Sequence, residues 1–515
     1  MIWSPRPLLY CLLQRMGIFL FTISAMICLF VTVMLLFSPS QSLAVPGDGL
    51  NLQQLLPSYL QTQHQAWWGE PDYQASSSQA DCKKDGWNVL YHLGGNGPWI
   101  EKTDDVAEGG IKVPEGCEVD MVHMMSRHAE RYPTKNAGIR MIQMLERIKA
   151  IGKPFTGALE FVNSWEYFTN SPDQHFEQLT TTGPYAGVLE AFTTGVKLGT
   201  RYAHLWNSSF PNVTHLWASE AGRVIDTARH FSAGFFGLES KLAKVIVVSE
   251  AKDKGGDTLT PGDTCKKYVE DAEKGHDNGY TMLAKYQSTY LPAISTRLSI
   301  DNPGYSFTNA EIYSMQEMCG FETTVRGWSP WCDVFTHSEW RAFEYARDII
   351  HFYRAGPGTP YSRAMGHLWL NATKNLLIEG SQSAGPLYFS FVHDGDIVPM
   401  LASLGLLEDE QDLPTTHIAK YRKWKTSQVT PMGGRVLFER LTCADRKFVR
   451  INVNDGIVPL PSCADGPGGS CELENFVEYI DARGRLAGDF RSVCGLPDDA
   501  AREPSFLRQP AFAKT

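Results

Sequence analysis

EVDMVHMMSRHAERYPT, residues 118–134, is the stretch that decides the fold class. Its first eight residues are mostly apolar, which predicts a strand over 118–125. The strand gives way abruptly to a basic cluster and Pro133, and a helical pattern then runs from 134 past 148. A strand that ends in polar residues and is followed by a helix is typical of an α/β sheet.

The same kind of strand recurs on both sides of a helical middle. Short apolar strands are predicted at 214–219, 244–249, 386–392, 436–440 and 448–453. Helices are predicted at 185–206, 224–236 and 339–353. Strand-like runs are scarce from 251 to 383. We therefore expect an α/β domain that carries a mostly helical insertion.

The sequence contains no repeat of 20–50 residues of the kind that builds a solenoid or a propeller. We expect the chain to have five parts. The parts are a targeting segment at 1–44, an irregular arm at 45–115, a catalytic α/β domain at 116–250 and 384–496, a helical insertion at 251–383, and a flexible tail at 497–515.

The amino terminus has the pattern of a targeting segment. Arg6 and Arg15 precede an apolar run at 16–37, and the small-residue pattern Ser-Leu-Ala follows at 42–44. One interpretation is a cleaved signal peptide, which we favour, and the other is an uncleaved membrane anchor. Both put the rest of the chain on the lumenal or extracellular side. We expect a secreted or cell-wall protein, or a membrane-anchored one with a lumenal catalytic domain.

Cysteine usage agrees with an oxidising compartment. Nine cysteines follow residue 44 without a CxxC pair, which favours disulfides over a zinc site. Sequons at Asn207, Asn212 and Asn371 are candidate glycosylation sites. Without residues 1–44 the chain loses two arginines and no acid, so its formal charge changes from −10 to −12. Such a chain is a poor partner for nucleic acid, and an anionic substrate would need a few converging cations.

The basic cluster after the first strand has the residue types that phosphate chemistry requires. Arg127 and Arg131 carry planar guanidinium groups suited to phosphate oxygens, and His128 lies between them. A neutral imidazole there can attack an arginine-bound phosphorus and form a covalent intermediate. The nearby cations should lower the pKa of His128. His128 is therefore the candidate nucleophile, against the alternative of a solvated surface cluster.

Two other strand ends supply candidate partners. His393 and Asp394 follow the predicted strand at 386–392, where the histidine can bond phosphate and the carboxylic acid can protonate a leaving alkoxide. Arg223 follows the strand at 214–219 and opens a helix. Taken singly, Asp394 could be a helix N-cap and Arg223 a surface ion pair. Ligands bind beyond the carboxyl ends of strands in open α/β sheets, so these residues would suit one phosphate pocket.

Together these residues resemble the histidine acid phosphatases, in particular the fungal acid phosphatase and phytase branch. Matching motifs are GGNGPW at 94–99, SRHAERYPT at 126–134, LTTTGPYAG at 179–187, SEAGRVIDTARHFSAGF at 219–235, FEYARDIIHFYRAGPGTP at 343–360, HDGDI at 393–397 and FVRINVND at 448–455. Several matches in order are more specific than any single motif. The resemblance implies a phosphoglycerate-mutase-like α/β fold, with a mixed-to-parallel central sheet, flanking helices and a mostly helical inserted cap.

The resemblance also implies a role for each site residue. His128 becomes a phosphohistidine, Asp394 protonates the leaving group, and water then releases phosphate. The phosphate is held by Arg127, Arg131, Arg223 and His393. Neither a metal ion nor another cofactor takes part. Ala129 stands where the family usually has glycine, and Gly395 where threonine is common. An alanine would be strained if its position required a positive φ.

The family pattern suggests how the cysteines pair. The implied disulfides are Cys117–Cys443, Cys265–Cys494, Cys319–Cys332 and Cys463–Cys471. Cys82 would then be the odd thiol, because a short amino-terminal loop that two cysteines often close in this branch has one here.

The predicted function is that of an acid phosphatase with an acidic pH optimum, acting on small phosphomonoesters and with phytate as a candidate substrate. Lys135 and Arg140 could supply cations for phytate. The alternatives are a dedicated phytase and a catalytically inactive relative that binds phosphorylated ligands. A zinc hydrolase would need a downstream Pro-Cys-x-x-Cys or a His-Glu-x-x-His motif, and a serine hydrolase a Gly-x-Ser-x-Gly elbow. The oligomeric state stays open.

Overall fold

The computed structural model describes residues 86–206 and 213–512. The targeting segment, the arm up to residue 85 with Cys82, and the sequons at Asn207 and Asn212 lie outside these ranges. Among the described residues, no helix is both long and apolar enough to cross a membrane.

The strands form a mixed sheet. They are β1 (Cys117–Arg127), β2 (Thr214–Ser219), β3 (Ala243–Val248), β4 (Leu387–Val392), β5 (Arg435–Cys443), β6 (Arg446–Val453), β7 (Gly456–Ile457) and β8 (Cys471–Glu472). Their order is β3-β2-β4-β1-β5-β6-β7, and β8 also pairs with β6. The first four in this order are parallel, whereas β5 runs antiparallel to β1 and β6. The mixed sheet confirms the predicted fold class.

Helices connect the strands and cover the sheet. They are α1 (Lys135–Ala150), α2 (Pro172–His175), α3 (Gly187–Arg201), α4 (Gly222–Phe236), α5 (Pro261–Thr264), α6 (Lys266–Glu270), α7 (Asn278–Asp301), α8 (Asn309–Arg326), α9 (His337–Arg354), α10 (Ser362–Glu379), α11 (Ser381–Ala384), α12 (Asp394–Leu404), α13 (Thr426–Val429), α14 (Leu473–Ala487) and α15 (Phe490–Cys494). The third sequon residue, Asn371, lies within α10 and is partly buried.

The apolar side chains of β1 alternate between two cores. Val122 and Met124 face a core that α3 and α4 cover. Met121 and Met125 face a larger core that α10, α12 and α14 cover and that continues into α7, α8 and α9. This period-two alternation is what a strand buried on both faces requires, and it makes the sheet the middle layer of three.

The segment between β3 and β4 is helical, and its last long helix, α10, packs directly against the sheet. In α10, Trp369 Nε1 donates a hydrogen bond to Ser390 Oγ of β4 at 3.1 Å. The Trp369 ring lies 5.6 Å from the ring of Phe438 on β5. This helix lies within the predicted insertion at 251–383 but contacts the sheet. Helical periodicity predicts that one face of a helix is buried but not against which surface.

Within the predicted tail at 497–515, Leu507 and Gln509 are buried, and Gln509 is hydrogen-bonded to the sheet. The Gln509 side chain accepts from the backbone N–H of His215 (2.8 Å) and donates to the carbonyls of His215 (3.0 Å) and Leu387 (2.8 Å). β2 meets β4 at Trp217 and Ala218. The Gln509 amide therefore satisfies backbone groups nearer the start of these strands, which composition does not reveal.

Four disulfides cross-link the described residues, two of them between cysteines 326 and 229 residues apart and two between cysteines 13 and 8 residues apart. They are Cys117–Cys443, Cys265–Cys494, Cys319–Cys332 and Cys463–Cys471, the four pairs that the resemblance implies. The first joins register partners at the start of β1 and the end of β5.

Candidate active site

His128 is the first residue after β1 and is 1% exposed. Its backbone N–H donates to the carbonyl of Val392 at the end of β4 at 3.0 Å, so strand pairing sets its position. Its Nδ1 lies 2.9 Å from the carbonyl oxygen of Ala129. Because a carbonyl oxygen accepts, Nδ1 carries the proton of the neutral ring and Nε2 carries the lone pair. The nitrogen of His128 that is available for attack is therefore Nε2.

Arg127 lies beside His128 and is held from three directions. Its Nη1 donates to the carbonyls of Gly95 and Thr430, each at 2.7 Å. Its Nη2 lies 3.2 Å from Asp394 Oδ2. A Cβ atom at Gly95 would lie 3.0 Å from Arg127 Nη1, so glycine allows the backbone to approach the guanidinium closely. The described part of the arm thus forms one wall of the site.

Arg131, Arg223 and His393 complete the basic side of the site. The Nε–H of Arg131 donates to His128 Nε2 at 3.4 Å. Arg223 Nη2 lies 3.3 Å from His393 Nδ1. The rings of His128 and His393 have centroids 5.8 Å apart. The structure therefore brings all six predicted site residues together.

The site forms where three adjacent parallel strands end. Arg127 ends β1, and His393 follows β4 as the N-cap of α12. Arg223 lies in the first turn of α4, shortly after β2. The backbone N–H of His393 donates to Asp396 Oδ2 at 3.0 Å, which fixes the start of α12. The amino ends of α4 and α12 add partial positive charge where an anion would bind.

Comparison with known proteins decides the family. The sequence pattern of the histidine phosphatase superfamily (branch 2) matches residues 118–454. The chain belongs to this family. Its relatives include a phytase of Candida albicans, 33% identical over 84% of this chain and 92% of the relative. An acid phosphatase of Komagataella pastoris is 35% identical over 81% and 88%. The crystal structure of the phytase from D. castellii has a TM-score of 0.76 and 29% identity, covering 84% of this chain and 93% of that one.

Ala129 fits this histidine phosphatase without backbone strain. Its φ is not positive, so the strain that a left-handed backbone would cause is absent. Its N–H donates to Thr227 Oγ1 at 3.0 Å. The residue is fully buried beside Leu179 and Ala191. The other departure from the family pattern, Gly395, leaves open space, since an added Cβ atom would have its nearest contact at Arg354 Nη2, 3.9 Å away.

Burial keeps the candidate nucleophile of the phosphatase neutral. The pKa of His128 lies well below its ordinary value, first because the ring is buried and then because Arg127 and Arg131 are close. The arginine effect was expected from the sequence. The larger cause, burial, comes from the fold.

Asp394 is an ionised carboxylate in this arrangement. Burial by itself raises the pKa of this carboxyl group, but the surrounding basic side chains outweigh burial and hold the pKa well below the ordinary value. Arg127 is the strongest of these, followed by His351 and Arg354. A phosphate group that competes for Arg127 and adds negative charge would raise the pKa of Asp394 toward the protonated form that a proton donor needs.

Sequence reasoning missed several residues that surround these groups. Glu250 Oε1 lies 3.1 Å from His393 Nε2, and Glu250 follows β3 closely. The strand-end argument that selected Arg223 would also have selected Glu250. His351 and Arg354 come from α9 in the insertion, where the sequence carries no signal that the helix reaches the edge of the sheet.

Proposed function

We propose that this histidine phosphatase hydrolyses phosphate monoesters through a phosphohistidine formed on His128. The observation that carries the proposal is the hydrogen bond from His128 Nδ1 to the Ala129 carbonyl, which leaves Nε2 unprotonated beside the site arginines. The groups assigned to bind the phosphate are Arg127, Arg131, Arg223 and His393. Guanidinium forks match phosphate oxygens and stabilise the charge that develops during transfer.

The proposed reaction has two steps. First, His128 Nε2 attacks phosphorus, a P–N bond forms and the P–O bond to the leaving group breaks, while Asp394 gives its proton to the departing oxygen. Second, water attacks the phosphohistidine, its proton passes to Asp394, and phosphate and free His128 result. Because Asp394 must be protonated for the first step, we expect activity to rise as pH falls into the acidic range.

The names of the relatives and the disulfides bear on the cellular location of the enzyme. Relatives of this chain are named acid phosphatases, and two of the four disulfides join cysteines that are 326 and 229 residues apart in sequence. Disulfides persist in oxidising compartments. We propose a lumenal or extracellular location, where an acidic optimum suits an acidic medium.

Trapping the covalent intermediate tests the proposal. Wild-type protein mixed with ³²P-labelled substrate and quenched in alkali, in which phosphohistidine survives, should carry label on the peptide that contains His128. A His128→Asn variant should carry no label and should lose turnover by ~10³-fold or more. Label on another residue, or turnover that survives in His128→Asn, would refute the assignment.

Hydrolysis of phytate is a second candidate function. A relative from Candida albicans and the solved structure from D. castellii are both named phytases. Arg354 borders the open space at Gly395, where it could contact a neighbouring phosphate group. Lys135 is exposed, whereas Arg140 is ion-paired with Glu317 at 2.5 Å.

Arg354→Gln separates the two candidate functions. The substitution should lower kcat/KM for phytate by roughly 10-fold and kcat/KM for p-nitrophenyl phosphate much less, because the second substrate has a single phosphate. Equal losses on both substrates would argue against phytate recognition by Arg354.

A further inference from the structure

Both ring nitrogens of His393 have a charged neighbour. Nε2 lies 3.1 Å from Glu250 Oε1, with Ser219 Oγ 3.5 Å away. Nδ1 lies 3.3 Å from Arg223 Nη2. The carboxylate accepts and the guanidinium donates, so the arrangement suits a neutral ring with its proton on Nε2 and a lone pair on Nδ1. That lone pair faces Arg223, on the side where the proposed function puts the phosphate.

This protonation pattern conflicts with the role assigned to His393. An imidazole that presents a lone pair toward a phosphate oxygen repels it, whereas an N–H group would donate a hydrogen bond. To donate from Nδ1 while keeping the bond to Glu250, the ring must carry a proton on both nitrogens. A carboxylate in contact with Nε2 stabilises that imidazolium, as an opposite charge does for any titratable group.

We infer that Glu250 is a positioning residue that holds His393 as an imidazolium, so that Nδ1–H donates to the transferred phosphate. The inference rests on the proposed function, because it concerns how that site binds its phosphate. Glu250 and His393 form a partly buried pair whose side chains are 28% and 18% exposed. Such a pair is screened less than a surface ion pair and is well suited to control a proton.

Other titratable or charged groups also lie near His393, and none of them replaces Glu250 at Nε2. They are His128 after β1, Arg223 on α4, Asp263 on α5, and Asp394 and Asp396 on α12. Asp396 accepts from the backbone N–H of His393 and not from its ring. Burial, and after it neighbouring acids that include Asp263, Asp394 and Glu250, raise the pKa of Asp396 well above its ordinary value. The carboxylate in contact with the ring is therefore that of Glu250.

Glu250 also has a structural contact that an experiment must separate from this role. Its Oε1 accepts from the backbone N–H of Ala221 at 3.3 Å, at the turn that leads into α4 and Arg223. Glu250→Gln keeps an oxygen that can accept from Ala221 and His393 but removes the charge. Glu220 supplies a matched control in the same turn, since its Oε2 accepts from Ser249 Oγ (3.0 Å) and from the backbone N–H of Glu250 (3.2 Å).

The test is the pH profile of kcat/KM for p-nitrophenyl phosphate, together with inhibition by inorganic phosphate. In Glu250→Gln the alkaline limb should move to lower pH by about one to two units. Inorganic phosphate should inhibit roughly 10- to 100-fold more weakly at pH 6, with a much smaller change at pH 4. Glu220→Gln should have the wild-type profile. In a His393→Asn background, Glu250→Gln should add no further loss.

The outcomes distinguish this inference from the proposed function. A Glu250→Gln profile that is unchanged, or lowered by the same factor at every pH, would mean that Glu250 only supports the turn, and the inference would fail while the phosphatase stood. Wild-type protein without phosphohistidine on His128 would instead overturn the proposed function. If Glu250→Gln does not fold, Glu250→Asp retains the charge and should keep the alkaline limb near that of wild type; a limb displaced as far as for loss of charge would contradict the inference.

Discussion

Two neighbouring strands, β1 and β4, carry a pair of ionisable side chains at their middle and another pair at their ends. At the middle, His123 and Tyr388 are register partners whose rings stack with centroids 4.4 Å apart. At the ends, His128 and Asp394 follow the two strands and lie at the candidate active site. Both histidines are 1% exposed. The two histidines thus share their strand and their burial but not their surroundings.

The difference shows what burial does and what a strand end adds. Burial is the first cause that lowers the pKa of both histidines, to about 3 for His123, and it keeps both rings neutral. His123 Nε2 has no hydrogen-bond partner among the described residues. At the strand end the chain leaves the sheet, so a free carbonyl and a guanidinium reach the ring of His128. Burial keeps a histidine neutral, and the contacts at the strand end decide which of its ring nitrogens carries the proton.

The largest expected effect concerns the end of β4. Asp394→Asn should lower kcat by ~10²- to 10⁴-fold for an alkyl phosphate such as β-glycerophosphate, whose alkoxide needs a proton. The loss should be far smaller for p-nitrophenyl phosphate, because its phenolate leaves unprotonated. Steady-state kinetics on both substrates measure the ratio, and Asp396→Asn, in the same turn of α12, is the control that should preserve it. Equal losses on the two substrates would remove Asp394 from the role of proton donor.

A smaller effect is expected at the middle of β1, and it concerns stability. In the unfolded chain His123 is protonated below about pH 6.5, whereas in the folded chain its pKa is about 3. Folding stability therefore falls as the pH decreases from about 6.5 to about 3. His123→Phe keeps the stacking with Tyr388 and removes the titrating group. Between pH 7 and pH 4 its unfolding free energy should fall by about 3 kcal/mol less than that of wild type.

Urea unfolding at the two pH values measures this difference. Activity of His123→Phe on p-nitrophenyl phosphate should stay near that of wild type, because this buried side chain lies at the middle of β1 and not at the strand end where the candidate active site forms. His417→Gln, at an exposed histidine, should leave the acid dependence as it is. If His123→Phe loses stability toward acid as steeply as wild type, burial does not keep His123 neutral and the comparison between the two strand positions fails.

The smallest effect is expected next to the nucleophile. Ala129→Gly should change kcat/KM by less than about 2-fold, because the alanine is not strained and is buried beside Leu179 and Ala191. The variant should be less stable by about 1–2 kcal/mol, through loss of a buried methyl group and a more flexible unfolded chain. Thermal unfolding and steady-state kinetics check both numbers. A rise in activity of 10-fold or more would mean that the methyl group crowds the site.

Sequence patterns predicted the elements whose signals are local. The strand predicted at 214–219 is β2 with the same bounds, and the helix predicted at 224–236 is α4 extended by two residues. The helix predicted at 185–206 is shorter, since α3 ends at Arg201 and a 3₁₀ helix follows at Ala203–Leu205. A tighter last turn of this kind is common where α-helices end, and periodicity alone does not reveal it.

The sequence by itself determined which residues stand at the strand ends, and therefore that Arg127, His128 and Arg131 lie close together. The alternation of apolar residues along a strand and the closeness of neighbouring residues in the chain are local properties, so they can be recognised from the sequence without knowledge of the fold. The tertiary structure decided which groups carry charge. His128 is neutral because the fold buries it, and Asp394 is ionised because Arg127, distant in sequence, lies 3.2 Å away. The protonation of a side chain depends on desolvation and on the distance to other charges, and both are set when remote segments pack together.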